Sequence, residues 1–374
     1  MPEPVGKARS LVFSAGSSAY REIRADGFRT ERIGTLAGAS GGAKWLVLSQ
    51  LDRVVARRVL PALRGPVHTI GTSIGAWRMA CFAQADPLAA IDRFEAAYLA
   101  QAYSPRPDRH EIARVTAGIL DCLLGESGAP EILAHPVLRT HVMVVRSRHL
   151  TASDSRVALA AGLLAAAGLN AVHRRALGLF FDRVLFFDSR CASADQPPFY
   201  AATGFPLHRV PLAADNLRDA IVATGSIPYV MSGVRNIAGA PPGMYRDGGI
   251  IDYHIDLPQS DSRRLSLFLH FYDFLRPGWF DKRLKWRRPQ PLNVDRMLLV
   301  SPSPDFVARL PNAKIPDRRD FLTMPPDARI AAWRRVVDQC RELADEFEDV
   351  LLNDRLAERV RPFRLSAGGA NTGG

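Results

Sequence analysis

The feature that most constrains this chain is a unit met twice in its N-terminal part: a short apolar run, a glycine-rich turn, then a helical stretch. Ile33 to Ala37 leads into Gly38-Ala39-Ser40-Gly41-Gly42, and a helix is predicted from Lys44 to about Val59. Pro66 to Ile70 leads into Gly71-Thr72-Ser73-Ile74-Gly75, with a helix from Ala76. Strands joined through helices pair in parallel, because a tight hairpin cannot reverse direction twice. Ser10 to Ser14 and a helix over Ala19 to Asp26 form a similar unit further upstream. The reading is therefore an α/β chain, three-layered α/β/α, with a mainly parallel central sheet.

Downstream, Thr140 to Arg146, Arg183 to Asp188, Met244 to Ile251 (interrupted by Gly248-Gly249), Leu265 to Phe271 and Arg296 to Val300 read as strands. Asp86-Pro87 reads as a helix start, with proline at the first helical position. Asn216 to Thr224 reads as helical, and one long helix is expected from Asp327 to about Val360. There is no internal repeat and no linker that demands a second domain. The expected organisation is an N-terminal β–α extension over 1–32, a main domain over 33–364, and a Gly/Ser/Asn-rich tail over 365–374 expected to be disordered.

Composition narrows the class. With 374 residues, 47% hydrophobic and 23% charged, the chain has the make-up of a soluble globular protein with a large core. Lys and Arg number 49 against 38 Asp and Glu, a formal net charge of +11. That charge favours anionic surfaces and is silent on fold. Cys81, Cys122, Cys191 and Cys340 are widely spaced with no CxxC pair, and His68 and the other histidines show no paired spacing, so neither a metal nor a disulfide scaffold is expected. No cofactor is expected either. The first residues lack the charged start and apolar core of a secretory signal. The longest apolar stretch, Val157 to Leu169, is shorter than the roughly 20 residues that span a bilayer. A cytoplasmic location, at most peripheral at a membrane, follows as the expectation.

Gly71-Thr72-Ser73-Ile74-Gly75 places a serine between a strand and a helix. Flanking glycines permit the tight turn, and the helix N-terminus points free N–H groups at the place where negative charge would develop. Gly38-Ala39-Ser40-Gly41-Gly42 fits the same pattern, and both serines cannot be the nucleophile of one site. One turn can present the serine while the other donates N–H groups to an oxyanion.

These turns, with Tyr245-Arg246-Asp247-Gly248-Gly249 downstream, resemble the patatin-like phospholipases. That family carries a Gly-rich oxyanion loop ending in a basic residue, then Gly-x-Ser-x-Gly-Ala, then Asp-Gly-Gly or Asp-Gly-Ala. Gly38 to Lys44 resembles the loop, Gly71 to Ala76 the nucleophile turn, and Asp247-Gly248-Gly249 the aspartate motif. Ala223-Thr224-Gly225-Ser226-Ile227-Pro228 resembles the family's approach to the acid. The resemblance covers roughly residues 33–260. It implies Ser73 as nucleophile, Asp247 as base, and Gly38, Gly41 and Gly42 as the oxyanion loop, with Gly71, Gly75, Gly248 and Gly249 shaping the turns. The loop has Ala39 and Ser40 where the family more often has glycine, which leaves the donor N–H groups open. A second parse takes Ser14-Ala15-Gly16-Ser17-Ser18 as the loop and Ser40 as the nucleophile.

The implied activity is hydrolysis of carboxylic esters of lipid-like substrates through a Ser-Asp dyad and an acyl-enzyme, without a metal. Asp247 would take the Ser73 proton and later activate water. Acyl transfer or thioester hydrolysis by the same dyad, or non-catalytic binding of anionic lipid or nucleic acid, are the alternatives. Nothing resembles a nucleic-acid-binding motif, so no nucleic acid is expected. His254, seven positions after Asp247, would be the third member in an ordinary α/β-hydrolase order. A strand-end histidine satisfied by a backbone carbonyl is the plainer reading. Trp279 to Arg288 combines aromatics with clustered cations, which suits an anionic membrane surface or a solvated loop. Val157 to Leu169 reads as a buried core helix, or as the lining of an acyl-chain pocket.

Overall fold

The computed structural model describes residues 9–191, 196–261 and 263–365. Eleven strands form one mixed sheet. In chain order they are β1 (Leu11–Ala15), β2 (Ile33–Gly38), β3 (Val67–Thr72), β4 (Leu138–Ser147), β5 (Phe181–Asp188), β6 (Leu207–Leu212), β7 (Val234–Arg235), β8 (Met244–Asp247), β9 (Leu265–Leu269), β10 (Met297–Pro302) and β11 (Val360–Pro362). Their spatial order is β11-β1-β10-β9-β2-β3-β4-β5-β6, with β8 on β4 and β7 on β8. The centre, β10-β9-β2-β3-β4, is parallel throughout. Every residue of β2, β3, β9 and β10 is buried. Central strands buried on both faces require a helical layer above and below, so the fold is a three-layer α/β/α sandwich.

The N-terminal strand joins this sheet: β1 pairs antiparallel with β10 and parallel with β11. The helix Ile74–Phe82 packs against β2, β3 and β4 with all nine residues buried. Asp86 caps the helix Pro87–Leu99 by accepting from the Ala89 N–H at 2.9 Å.

Three expectations need correction. The long C-terminal helix is three pieces, Pro326–Gln339, Arg341–Leu352 and Leu356–Arg359, followed by β11. The chain bends at Cys340 (ψ −5°), which is fully buried; the bend lets Leu343, Phe347 and Val350 enter the core. The helix expected from Lys44 is a 3-10 turn over Gly42–Val47, an α-helix over Ser49–Val54 and a π-turn over Val55–Val59. The Ala-rich stretch forms the helix Arg156–Val172, but it is not a core helix and does not line the serine pocket. Leu159, Gly162, Ala166 and Asn170 face inward, while Val157, Leu164 and Val172 are 81%, 74% and 84% exposed. Among the described residues no helix is long and apolar enough to cross a membrane. Apart from Leu365, the tail over 365–374 lies outside the described residues.

Candidate active site

Strand register brings Ser73 to Asp247. Along one edge of β4 run two strands in turn, because β5 occupies the other edge from His141 to Ser147. β3 pairs parallel with β4 as far as Thr72 opposite Met143, and β8 pairs antiparallel from Asp247 opposite Val144 onward. The C-terminal ends of β3 and β8 therefore meet head to head between Met143 and Val144. Ser73 follows Thr72, and Asp247 ends β8.

At that meeting point Ser73 Oγ donates to Asp247 Oδ2 at 2.9 Å. Ser73 has φ 51° and ψ −131°, a backbone region that non-glycine residues avoid at a cost of about 1–3 kcal/mol. The surroundings hold it there. Its N–H donates to Thr224 Oγ1 at 2.9 Å, and Thr224 Oγ1 donates to the Met143 carbonyl. Ser73 is the cap of the helix Ile74–Phe82, so the helix N-terminus opens at its side chain.

Asp247 is buried, and its Oδ1 accepts the Gly249 N–H at 2.7 Å. Burial raises its pKa from the ordinary carboxylate value to about 6, against the opposing hydrogen bonds from Gly249 and Ser73. A carboxylate in that range is a stronger base than a solvated one while remaining ionised at neutral pH.

The motif glycines are explained by close approach. A Cβ on Gly75 would stand 1.9 Å from the Gly38 carbonyl oxygen, so the two glycine-rich turns touch through backbone alone. Gly71 is packed on Ala76, Gly248 on the Met143 carbonyl, and Gly249 on the Ser40 side chain. Gly38 ends β2 and does not reach the pocket; it sets the spacing between the turns. Gly41 and Gly42 do line the pocket beside Ser73 and Asp247, and Gly42 has φ +56°. Among the described residues no protein acceptor takes their N–H groups.

Ser40 also lines the pocket but is differently engaged. Its Oγ donates to Thr72 Oγ1 at 3.0 Å, and its N–H donates to the Tyr253 carbonyl at 2.9 Å. Ser14 and Ala15 lie in β1, separated from β2 by β10 and β9, so the segment read as a second oxyanion loop is remote from Ser40. His254 is buried beside His270 and its Nδ1 accepts the Arg276 N–H at 2.9 Å, so a backbone donor and not a carbonyl satisfies it. It contacts neither Ser73 nor Asp247 through a hydrogen bond. Burial holds its pKa far below the ordinary histidine value.

Three cations share the pocket lining: Lys44, Lys282 and Arg318. Burial lowers Lys44 to about 8. Lys282 is exposed as a residue, yet its ammonium shelters 4.0 Å above the ring centroid of buried Tyr253. Desolvation and the neighbouring Lys44 and Arg318 push it down to about 7. The apolar walls are Ile227, Pro228, Ile250, Tyr253 and Trp279. Sequence reasoning missed Thr224 as a partner of the serine backbone, although it stands inside the segment leading to Pro228. It also missed Arg318, which no local pattern marks.

No protein-family model and no curated protein matches the chain. Among solved structures it is similar to VipD from Legionella pneumophila, at 14% sequence identity and a TM-score of 0.31. The match covers 64% of this chain and 50% of VipD. A likeness of that size bears on neither fold nor activity.

Proposed function

We propose that this chain is a patatin-like serine acyl hydrolase that cleaves carboxylic esters of anionic lipids through Ser73 and Asp247. The observation that carries the reading is the 2.9 Å hydrogen bond from Ser73 Oγ to Asp247 Oδ2 at a strained turn on a pocket floor. Asp247 accepts the Ser73 proton as Oγ attacks the ester carbonyl carbon. The resulting oxyanion lies against the Gly41 and Gly42 N–H groups and the end of the helix Ile74–Phe82. Collapse of the tetrahedral intermediate breaks the C–O bond, and Asp247 returns its proton to the departing alcohol. In the second half Asp247 takes a proton from water, hydroxide attacks the acyl-enzyme, and the acid leaves as Ser73 regains its proton.

The walls of the pocket support this substrate class. Ile227, Pro228, Ile250 and Trp279 suit an acyl chain, while Lys44, Lys282 and Arg318 suit a phosphate or carboxylate on the alcohol side. The helix Arg156–Val172 supports delivery from a lipid surface. Every exposed residue from Val157 to Val172 is Ala, Gly, Leu or Val. Arg156, at one end, stacks 4.5 Å from the ring centroid of Tyr229, next to the pocket residues Ile227 and Pro228. At the other end Arg287 donates to the Asn170 carbonyl at 2.8 Å, which ties in the loop bearing Lys285, Arg288 and 65%-exposed Trp286. An apolar stripe flanked by cations at the rim of the pocket complements an anionic bilayer.

The test is fatty-acid release from vesicles of phosphatidylglycerol and phosphatidylcholine. Wild-type protein is expected to release acid, and Ser73→Ala is expected to release none. Equal release by Ser73→Ala contradicts the reading.

A further inference from the structure

At the far end of β3 from Ser73, roughly 15 Å along the strand at 3.3 Å per residue, a second group of reactive side chains converges. His68 lies near the start of β3, His141 lies in β4, and Cys191 follows the end of β5. The parallel pairing of Ile70 with His141, and the antiparallel pairing of His141 with Phe187, bring these segments to one place. Cys191 Sγ stands 3.9 Å from His68 Nδ1 and 3.8 Å from His141 Nε2. The three atoms all lie within 4.8 Å of one another.

From this geometry we infer that His68 Nδ1, His141 Nε2 and Cys191 Sγ form a binding site for a thiophilic divalent cation, Zn2+ by preference. A zinc ion about 2.3 Å from sulfur and about 2.0 Å from nitrogen holds the two ligand atoms roughly 3.5–3.8 Å apart at tetrahedral to trigonal angles. The observed sulfur–nitrogen separations, 3.8 and 3.9 Å, lie at and just above the top of that span. Binding would draw the three side chains together from their present spacing, within 4.8 Å of one another.

The tautomer of His141 is already that of a ligand. Its Nδ1 lies 3.1 Å from the Thr69 carbonyl oxygen and 2.9 Å from that of Arg139. Carbonyl oxygens only accept, so Nδ1 carries the hydrogen and Nε2 keeps its lone pair, with the Tyr200 hydroxyl at 2.9 Å and Cys191 Sγ at 3.8 Å. Backbone carbonyls fix metal-binding histidines in this way. The Tyr200 hydroxyl, 2.9 Å from His141 Nε2, is placed to give up that bond and stand beside the ion as fourth ligand or as partner of a bound water. On binding, the Cys191 thiol releases one proton and becomes the thiolate ligand.

A surface groove lined by Thr35, Pro66, Gln259 and Arg264 reaches His68. Two imidazoles and a thiolate select zinc over magnesium or calcium, which prefer oxygen ligands. The ion would tie the segment after β5 to the ends of β3 and β4. Its role is structural and lies apart from Ser73, so the site stands or fails independently of the hydrolase reading.

Cobalt titration of the chelator-treated full-length protein tests the site. One equivalent of Co2+ is expected to produce a thiolate-to-cobalt charge-transfer band and tetrahedral d–d bands, both erased by Zn2+. Cys191→Ser should lose the charge-transfer band, and His141→Gln should weaken Co2+ binding at least tenfold. Cys122→Ser, which alters the exposed cysteine, should behave as wild type. Circular dichroism checks that each variant is folded. Absence of the band in folded wild-type protein, or an unchanged band in folded Cys191→Ser, overturns the inference.

Discussion

Ser73 and Asp247 are 174 positions apart in sequence and share a 2.9 Å hydrogen bond, because β3 and β8 run toward each other along a single edge of β4. The carboxylate belongs to a strand end on rigid sheet, and the serine to a turn clamped by Thr224. Neither side chain needs to move to transfer a proton.

Replacing the base separates chemistry from folding. Asp247→Asn keeps the shape and can still accept from Gly249, so it should fold as wild type. Ester turnover should fall about 10²- to 10⁴-fold, the range for removing a positioned general base. Steady-state kinetics with a soluble p-nitrophenyl ester reads the loss. Wild-type turnover in this variant would remove Asp247 from the mechanism.

The pH profile on an anionic substrate should have two limbs. Burial raises Asp247 to about 6, so below that value it is protonated and cannot accept the serine proton. The specificity constant should therefore rise through about pH 6. It should fall again between about 7 and 8 as Lys282 and then Lys44 lose their charge. A neutral ester should keep the acid limb and lack the alkaline one. An identical alkaline limb with both substrates would take the lysines out of substrate recognition.

Gly75→Ala should be costly in stability. The new Cβ would stand 1.9 Å from the Gly38 oxygen, both groups being backbone-fixed. Overpacking that forces the backbone to shift costs about 1–3 kcal/mol, occasionally more. Urea unfolding against wild type measures it. Gly168→Ala, which meets no atom within 4 Å on the exposed helix face, is the matched control and should be neutral or mildly stabilising.

The apolar helix face should govern vesicle binding alone. Leu164→Glu and Val172→Glu place charge at positions 74% and 84% exposed. They should leave soluble-ester turnover unchanged and reduce sedimentation with phosphatidylglycerol vesicles about tenfold or more. Wild-type binding should weaken with added salt, as expected where Arg and Lys contribute. Undiminished binding by the double variant would dismiss this face as the contact.

Much of the parallel core was readable because its strands are short apolar runs, two of which, β2 and β3, lead into glycine turns. Local sequence also marked Ser73 and Asp247 as candidates, through the glycines at positions 75, 248 and 249 that close backbone contacts demand. What escaped was set by tertiary context. β6 is an edge strand with Pro211 and alternating exposure, β7 has two residues and β11 three. The break at Cys340 involves no proline or glycine, so nothing in the helical pattern announces it. The outward apolar face of Arg156–Val172 reads from composition as core. The His68, His141 and Cys191 group is invisible to spacing rules, because its members come from three segments joined only by strand register.

Labelling of the folded protein with a fluorophosphonate probe, followed by peptide mass mapping, tests the central claim most directly. The account predicts one adduct per chain on Ser73, lost in Ser73→Ala and retained in Ser40→Ala. An adduct on Ser40, or no adduct on folded wild-type protein, would contradict it.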